Sequence, residues 1–213
     1  MRRFLHSSAD RRTETMLTLY GRPNSSNSAK VFWLLDELGA DWRLEPAGRG
    51  FGPTDTPEFR AMNPFGKVPV LKDGETVVWE SHAILRYLGT REPTPLWPEG
   101  AAARSRIDRW MDWAAISFTP PLTRLRKARG AGASGEADLP AVLAGARALD
   151  GWLARHRYLA GCDLSLADIA ASPSVHRWFR LPEAAEALPN LARYRDDLAR
   201  NPGYCRHIRD ALS

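Results

Sequence analysis

Residues 17–39 read LTLYGRPNSSNSAKVFWLLDELG. Leu17 to Tyr20 is a short run of β-type residues, closed by Gly21-Arg22-Pro23, which cannot continue a strand. Ser25, Ser26, Asn27 and Ser28 follow, four residues whose side chains favour a helix N-cap. From Ala29 to Leu38 the apolar residues Val31, Phe32, Leu34, Leu35 and Leu38 recur at helical spacing, and Gly39 is placed to stop the helix. Asp41 to Glu45 is a second β-type run. A strand, a helix and a strand in this order imply parallel pairing.

Further along, Gly48 to Thr54 is a Gly-rich loop, and Thr56-Pro57-Glu58 has the pattern of a helix start with Pro in its first turn, ending near Met62. Val68–Leu71 and Thr76–Trp79 flank Asp73-Gly74, a strong hairpin signal, and Ser81 is placed to cap a helix running to about Leu88. Residues 92–100 hold three prolines and read as a linker. Beyond them the period changes to helical, with Arg104–Phe118, Leu139–Arg155 and Leu191–Ala199 as the clearest helices. The expected organisation is an α/β domain over 16–91, a linker over 92–100 and an all-helical domain over 101–213. Residues 1–15 carry four Arg and no apolar core, so they read as a disordered tail rather than a signal peptide.

Composition narrows the function classes. The chain has 213 residues, 44% of them hydrophobic and 26% charged, which are globular proportions. Nothing approaches the ~20 consecutive apolar residues of a membrane span. The net charge of +5 is mild and spread along the chain, so no nucleic-acid partner is expected. Cys162 and Cys205 are far apart and outside any metal-ligand spacing, so no metal is expected and the compartment is expected to be the reducing cytoplasm.

Three places carry chemistry. A helix N-terminus presents free N–H groups and partial positive charge, and Ser25, Ser26 and Asn27 add hydroxyl and amide donors there. A thiolate would be stabilised at that point. Lowering a thiol pKa by ~2 units from ~8.5 takes ~2.7 kcal/mol, which one charge-assisted hydrogen bond plus a helix end supplies. The same residues also serve simply as caps. Val68-Pro69 opens a strand, where proline marks an edge or a bulge, and a cis bond would present the Val68 backbone to an extended peptide-like ligand. Glu80-Ser81 sits at a strand-to-helix junction, where a carboxylate and a hydroxyl together suit an amino-acid head group.

In their order and spacing, LTLYGRPNSSNSAKVFWLLDELG, NPFGKVPVLKDGETVVWESHAILRYL and YLAGCDLSLADIA resemble the cytosolic glutathione S-transferase superfamily, from Met16 onward. The resemblance implies a thioredoxin-like N-terminal domain followed by an all-α domain. It implies an enzyme that conjugates the glutathione thiolate to a small hydrophobic electrophile. Ser25 matches the thiolate-activating hydroxyl of serine-type members and Asn27 the amide of some bacterial ones, with Ser26 also open. Lys67, Val68, Pro69, Glu80 and Ser81 match residues that hold the tripeptide. Arg22, Arg49 and Phe51 are expected in bordering loops, and Trp110, Trp113 and Trp178 are candidates for the hydrophobic pocket. No Cys occupies 25–27, which disfavours Cys-based thiol transfer. A glutathione-dependent peroxidase or disulfide reductase, and a non-catalytic glutathione-binding fold, are the alternatives. The resemblance also implies a homodimer. Ser165-Leu166-Ala167-Asp168 matches a structural capping box, so Asp168 is expected to serve folding.

Overall fold

The computed structural model describes residues 16–212; the expected disordered tail, 1–15, lies outside them. Strand β1 (Leu17–Gly21) is central in a four-stranded sheet ordered β2-β1-β3-β4. Its parallel neighbour is β2 (Trp42–Pro46), and its antiparallel neighbour is β3 (Val70–Asp73), which pairs in turn with β4 (Thr76–Trp79). The apolar run of β1 follows from this position, because both of its faces are covered. The hairpin turns at Gly74, whose φ of 56° suits glycine.

Helix α1 (Ser26–Leu38) crosses from β1 to β2 and buries Ala29, Val31, Phe32, Trp33, Leu34 and Leu35. It is apolar nearly all round because it lies between the sheet and the helical domain. It starts three residues earlier than expected: Ser25 alone is the cap, and Ser26, Asn27 and Ser28 already lie in the helix. Gly39 ends it in the left-handed region, with its N–H bonded to the carbonyls of Leu35 and Asp36. The short α2 (Pro57–Met62) precedes β3, and α3 (Ser81–Arg91) follows β4. Here the expectation for Ser81 is corrected. Glu80 is the N-cap residue, at a φ of 68°, and Ser81 is the first residue of the helix.

In the helical domain, α4 (Ala101–Trp113) runs through a π-helical segment (Ala114–Phe118) into α5 (Thr119–Gly130). Pro120 and Pro121 have no N–H to offer the carbonyls one turn back, so the ladder changes register there. Helix α6 (Leu139–Leu153) leads to α7 (Leu166–Trp178), which is buried along almost its whole length. Pro173 interrupts the ladder of α7, and the Ser172 hydroxyl donates to the orphaned Ile169 carbonyl at 2.9 Å. Asp168 is fully buried in the first turn. It accepts from the Ser165 N–H and hydroxyl, from the Leu159 N–H and from the Tyr194 hydroxyl, all within 2.9 Å.

After α8 (Pro189–Leu198), a turn at Pro202–Tyr204 and a π-helical segment at Cys205–Arg209 return the chain to α1. Trp33 and Tyr204 meet edge to face, and Gly203 lies so near the Trp33 ring that an added Cβ would come within 2.3 Å of it. Asn201 donates to Glu37 at 2.7 Å, and Arg206 and His207 both bond Asp36.

Candidate active site

The turn from β1 into α1 puts Ser25 at the bottom of a cleft of about 660 Å³ between the two domains. Ser25 is only 8% exposed. Its Oγ accepts from the Ser28 N–H at 3.4 Å, which uses a lone pair and leaves the O–H to donate. Capping and activation are therefore compatible in one hydroxyl. Ser26 and Asn27 line the same cleft.

Opposite them is the loop that leads into β3. Buried Asn63 shapes it: its amide donates to the Lys67 carbonyl at 2.8 Å and its oxygen accepts from the Phe65 N–H. Gly66, at a φ of 59°, lies 2.7 Å from the Thr54 carbonyl as measured from an ideal Cβ, so only glycine fits. Lys67 and Val68 line the cleft, and the Val68-Pro69 bond is cis. Arg22 and Arg49 reach the cleft too, whereas Phe51 does not line it. Arg22 bonds the Asn24 side chain, and its Nε is buried without a partner.

Beneath this surface is a polar cluster that no local motif announces. The Lys30 ammonium, 5% exposed, lies 3.1 Å from Asn27 Oδ1 and 3.1 Å from His82 Nε2. Burial lowers the Lys30 pKa to about 8, partly opposed by nearby Glu80. Burial and the Lys30 charge lower His82 to about 3. His82 is therefore neutral at pH 7 and accepts from Lys30 through Nε2. Lys30 also fixes the orientation of Asn27. With Oδ1 engaged, the NH₂ donor is the end of the amide left for the cleft.

Glu80 and Ser81 do not line the cleft; Glu80 is close enough to act on the Lys30 charge. The three tryptophans fare differently from their expected role. Trp178 is 1% exposed and lies in the core. Trp110 and Trp113 pack on each other, on Trp152 and on Phe118, and none of the three lines the cleft. The wall on the helical side consists instead of Thr119, Thr123, Arg126 and Lys127 of α5 and Arg177 of α7. The spacing of the α5 residues, one helical face, is the signal that could have found them.

A thioredoxin-like sheet, a helical domain packed on its first helix, and a donor-rich helix N-terminus facing a cis-proline loop define a protein built to hold a thiol-bearing peptide. The family model of the glutathione S-transferase N-terminal domain matches residues 15–90, and that of the C-terminal domain matches 117–202. Glutathione S-transferase GstB of Escherichia coli K12 is 35% identical over 203 residues, covering 88% of this chain and 95% of that protein. Glutathione S-transferase 3 of Zea mays is 33% identical, covering 81% and 90%. The crystal structure of a theta class glutathione S-transferase from Xanthomonas axonopodis pv. citri, with glutathione bound, superposes with a TM-score of 0.82 at 36% identity, covering 92% and 99%. The chain belongs to the glutathione S-transferase family of enzymes.

Proposed function

We propose that this protein binds glutathione in the cleft and transfers its thiolate to the electrophilic carbon of a small molecule held against α5 and α7. The observation that carries the reading is the Ser25 hydroxyl and the Asn27 amide side by side at the N-terminus of α1, facing the cleft. In this reading Ser25 donates its O–H to the sulfur, and the Asn27 NH₂ and the helix end add positive potential. Ser26 lies beside them. Val68, ahead of Pro69, pairs with the cysteinyl backbone, Lys67 reaches the tripeptide, and Glu80 with Ser81 takes the γ-glutamyl end. The C–S bond forms as the leaving group departs with its electron pair, and the thiol proton passes to solvent.

The bound glutathione of the Xanthomonas relative supports glutathione as the co-substrate. We also read the protein as a cytoplasmic homodimer. Exposed Phe65 on the first domain and Ile116 on the second, 64% and 74% accessible, are the apolar points such a dimer would cover. No helix among the described residues is long and apolar enough to cross a membrane.

The test is the thiol pKa of bound glutathione, followed by thiolate absorbance against pH. Ser25→Ala is expected to raise it by about 1–2 units, equivalent to the loss of one charge-assisted hydrogen bond. If only Asn27→Ala moves the pKa, the amide is the activator. If glutathione does not bind to the wild type, the reading fails.

A further inference from the structure

The cleft is lined by six cationic side chains, Arg22, Arg49, Lys67, Arg126, Lys127 and Arg177, and by no Asp or Glu. Three of the six, Arg126, Lys127 and Arg177, lie on the helical wall, where the second substrate is to be held. Helix α5 carries four basic residues between 124 and 129, and they divide by direction. Arg124 and Arg129 are bound to Asp138 and Glu183 at 2.7 and 2.5 Å. Arg126 and Lys127 turn to the cleft. Across from them the Arg177 Nε is buried and has no hydrogen-bond partner. Burial, and after it the neighbouring Arg126, lowers the Arg177 pKa to about 10. Two guanidiniums held this close, one of them partly dehydrated, cost free energy that an anion between them would return.

Glutathione meets only part of this demand. As a thiolate it brings two carboxylates and the sulfur charge, offset by one ammonium, and its recognition is assigned to the first-domain side of the cleft. The wall has, moreover, no aromatic side chain for an apolar ring to lie on.

Resting on the transferase reading above, we propose that the second substrate is an anionic electrophile, with a carboxylate or sulfonate beside the reacting carbon, held by Arg177, Arg126 and Lys127. The anion is a spectator to the chemistry. It fixes the electrophile, and the cations offset its repulsion from the thiolate.

The experiment compares 4-chloro-3,5-dinitrobenzoate with the matching benzamide. Both lose chloride to the thiolate, and each rate is divided by its own uncatalysed rate with glutathione. The expected result is a kcat/KM at least about 10-fold higher for the benzoate, a tenfold ratio being an ordinary return on one charge-assisted pair. Arg177→Gln and Arg126→Gln, each checked for its thermal transition, are expected to bring that ratio close to one while the KM for glutathione holds. An amide turned over as well as the benzoate by the wild type overturns the proposal. So does a rise in the glutathione KM that affects both substrates equally, because the cations then serve glutathione. If neither compound is turned over, the transferase reading is the one that fails. Binding of unreactive 3,5-dinitrobenzoate and 3,5-dinitrobenzamide to the glutathione-loaded protein then decides the site: tighter binding of the anion upholds it, and equal binding overturns it.

Discussion

Lys30 is the residue whose meaning changes most with its surroundings. It faces Asn27, His82, Glu80 and Arg177, and its burial sets the sign of a pH effect. With a pKa of about 8 in the fold against 10.5 unfolded, the native chain binds fewer protons between these values. Stability therefore rises with pH through that window, by about 3 kcal/mol from this one group. In Lys30→Met that rise is expected to disappear from denaturation curves taken between pH 8 and 10.5. The pKa of bound glutathione should climb by about one unit in the same variant, because a positive charge behind Asn27 is gone. His82 works in the acid range: its pKa of about 3, against 6.5 unfolded, makes stability fall as pH drops from 6.5 toward 3. Replacing it with Asn should flatten that fall. The sequence made Ser25 readable because a cap is local, defined by the strand before it and the helix after it. Lys30 was not readable, because its partner His82 is 52 residues away.

Elements built from local signals came out close to expectation. The β1–α1–β2 unit and the Asp73-Gly74 hairpin needed only periodicity and turn chemistry. What periodicity could not tell was which side of an apolar stripe meets another helix and which meets the cleft. Trp110, Trp113 and Trp178 are at helical spacing either way, and the packing of α4, α6 and α7 decides for the core. The cationic stripe of α5 was hidden for a compositional reason, since Arg is abundant throughout the chain. Asp168 is where the element scale gives its sharpest prediction. Asp168→Ala leaves the Leu159 and Ser165 N–H groups and the Tyr194 hydroxyl without an acceptor in a buried turn. The loss should be about 3 kcal/mol or more, lowering Tm by on the order of 6–12 °C in calorimetry. Glutathione binding by the protein that remains folded should be unchanged, since Asp168 is remote from the cleft lining.

At the scale of the molecule, the two domains share one hydrophobic core that runs from β1 through α1 into α4 and α7. The two most exposed large apolar side chains, Phe65 and Ile116, are on different domains. Phe65→Asp is expected to convert the homodimer to monomers in light scattering, and a dimer that survives it must be joined elsewhere. The return of residues 201–209 to α1 has a consequence in time. Trp33 is covered by Gly203 and Tyr204, and Asp36 and Glu37 are held by Arg206, His207 and Asn201. On the ribosome the sheet is complete while these residues are still untranslated. At about 5–20 residues per second, the interval between α3 and residue 203 is on the order of ten seconds. For that interval the helix that carries Ser25 has an uncovered indole on its outer side, a ready handle for a chaperone, and the nascent enzyme is a client before it is a catalyst.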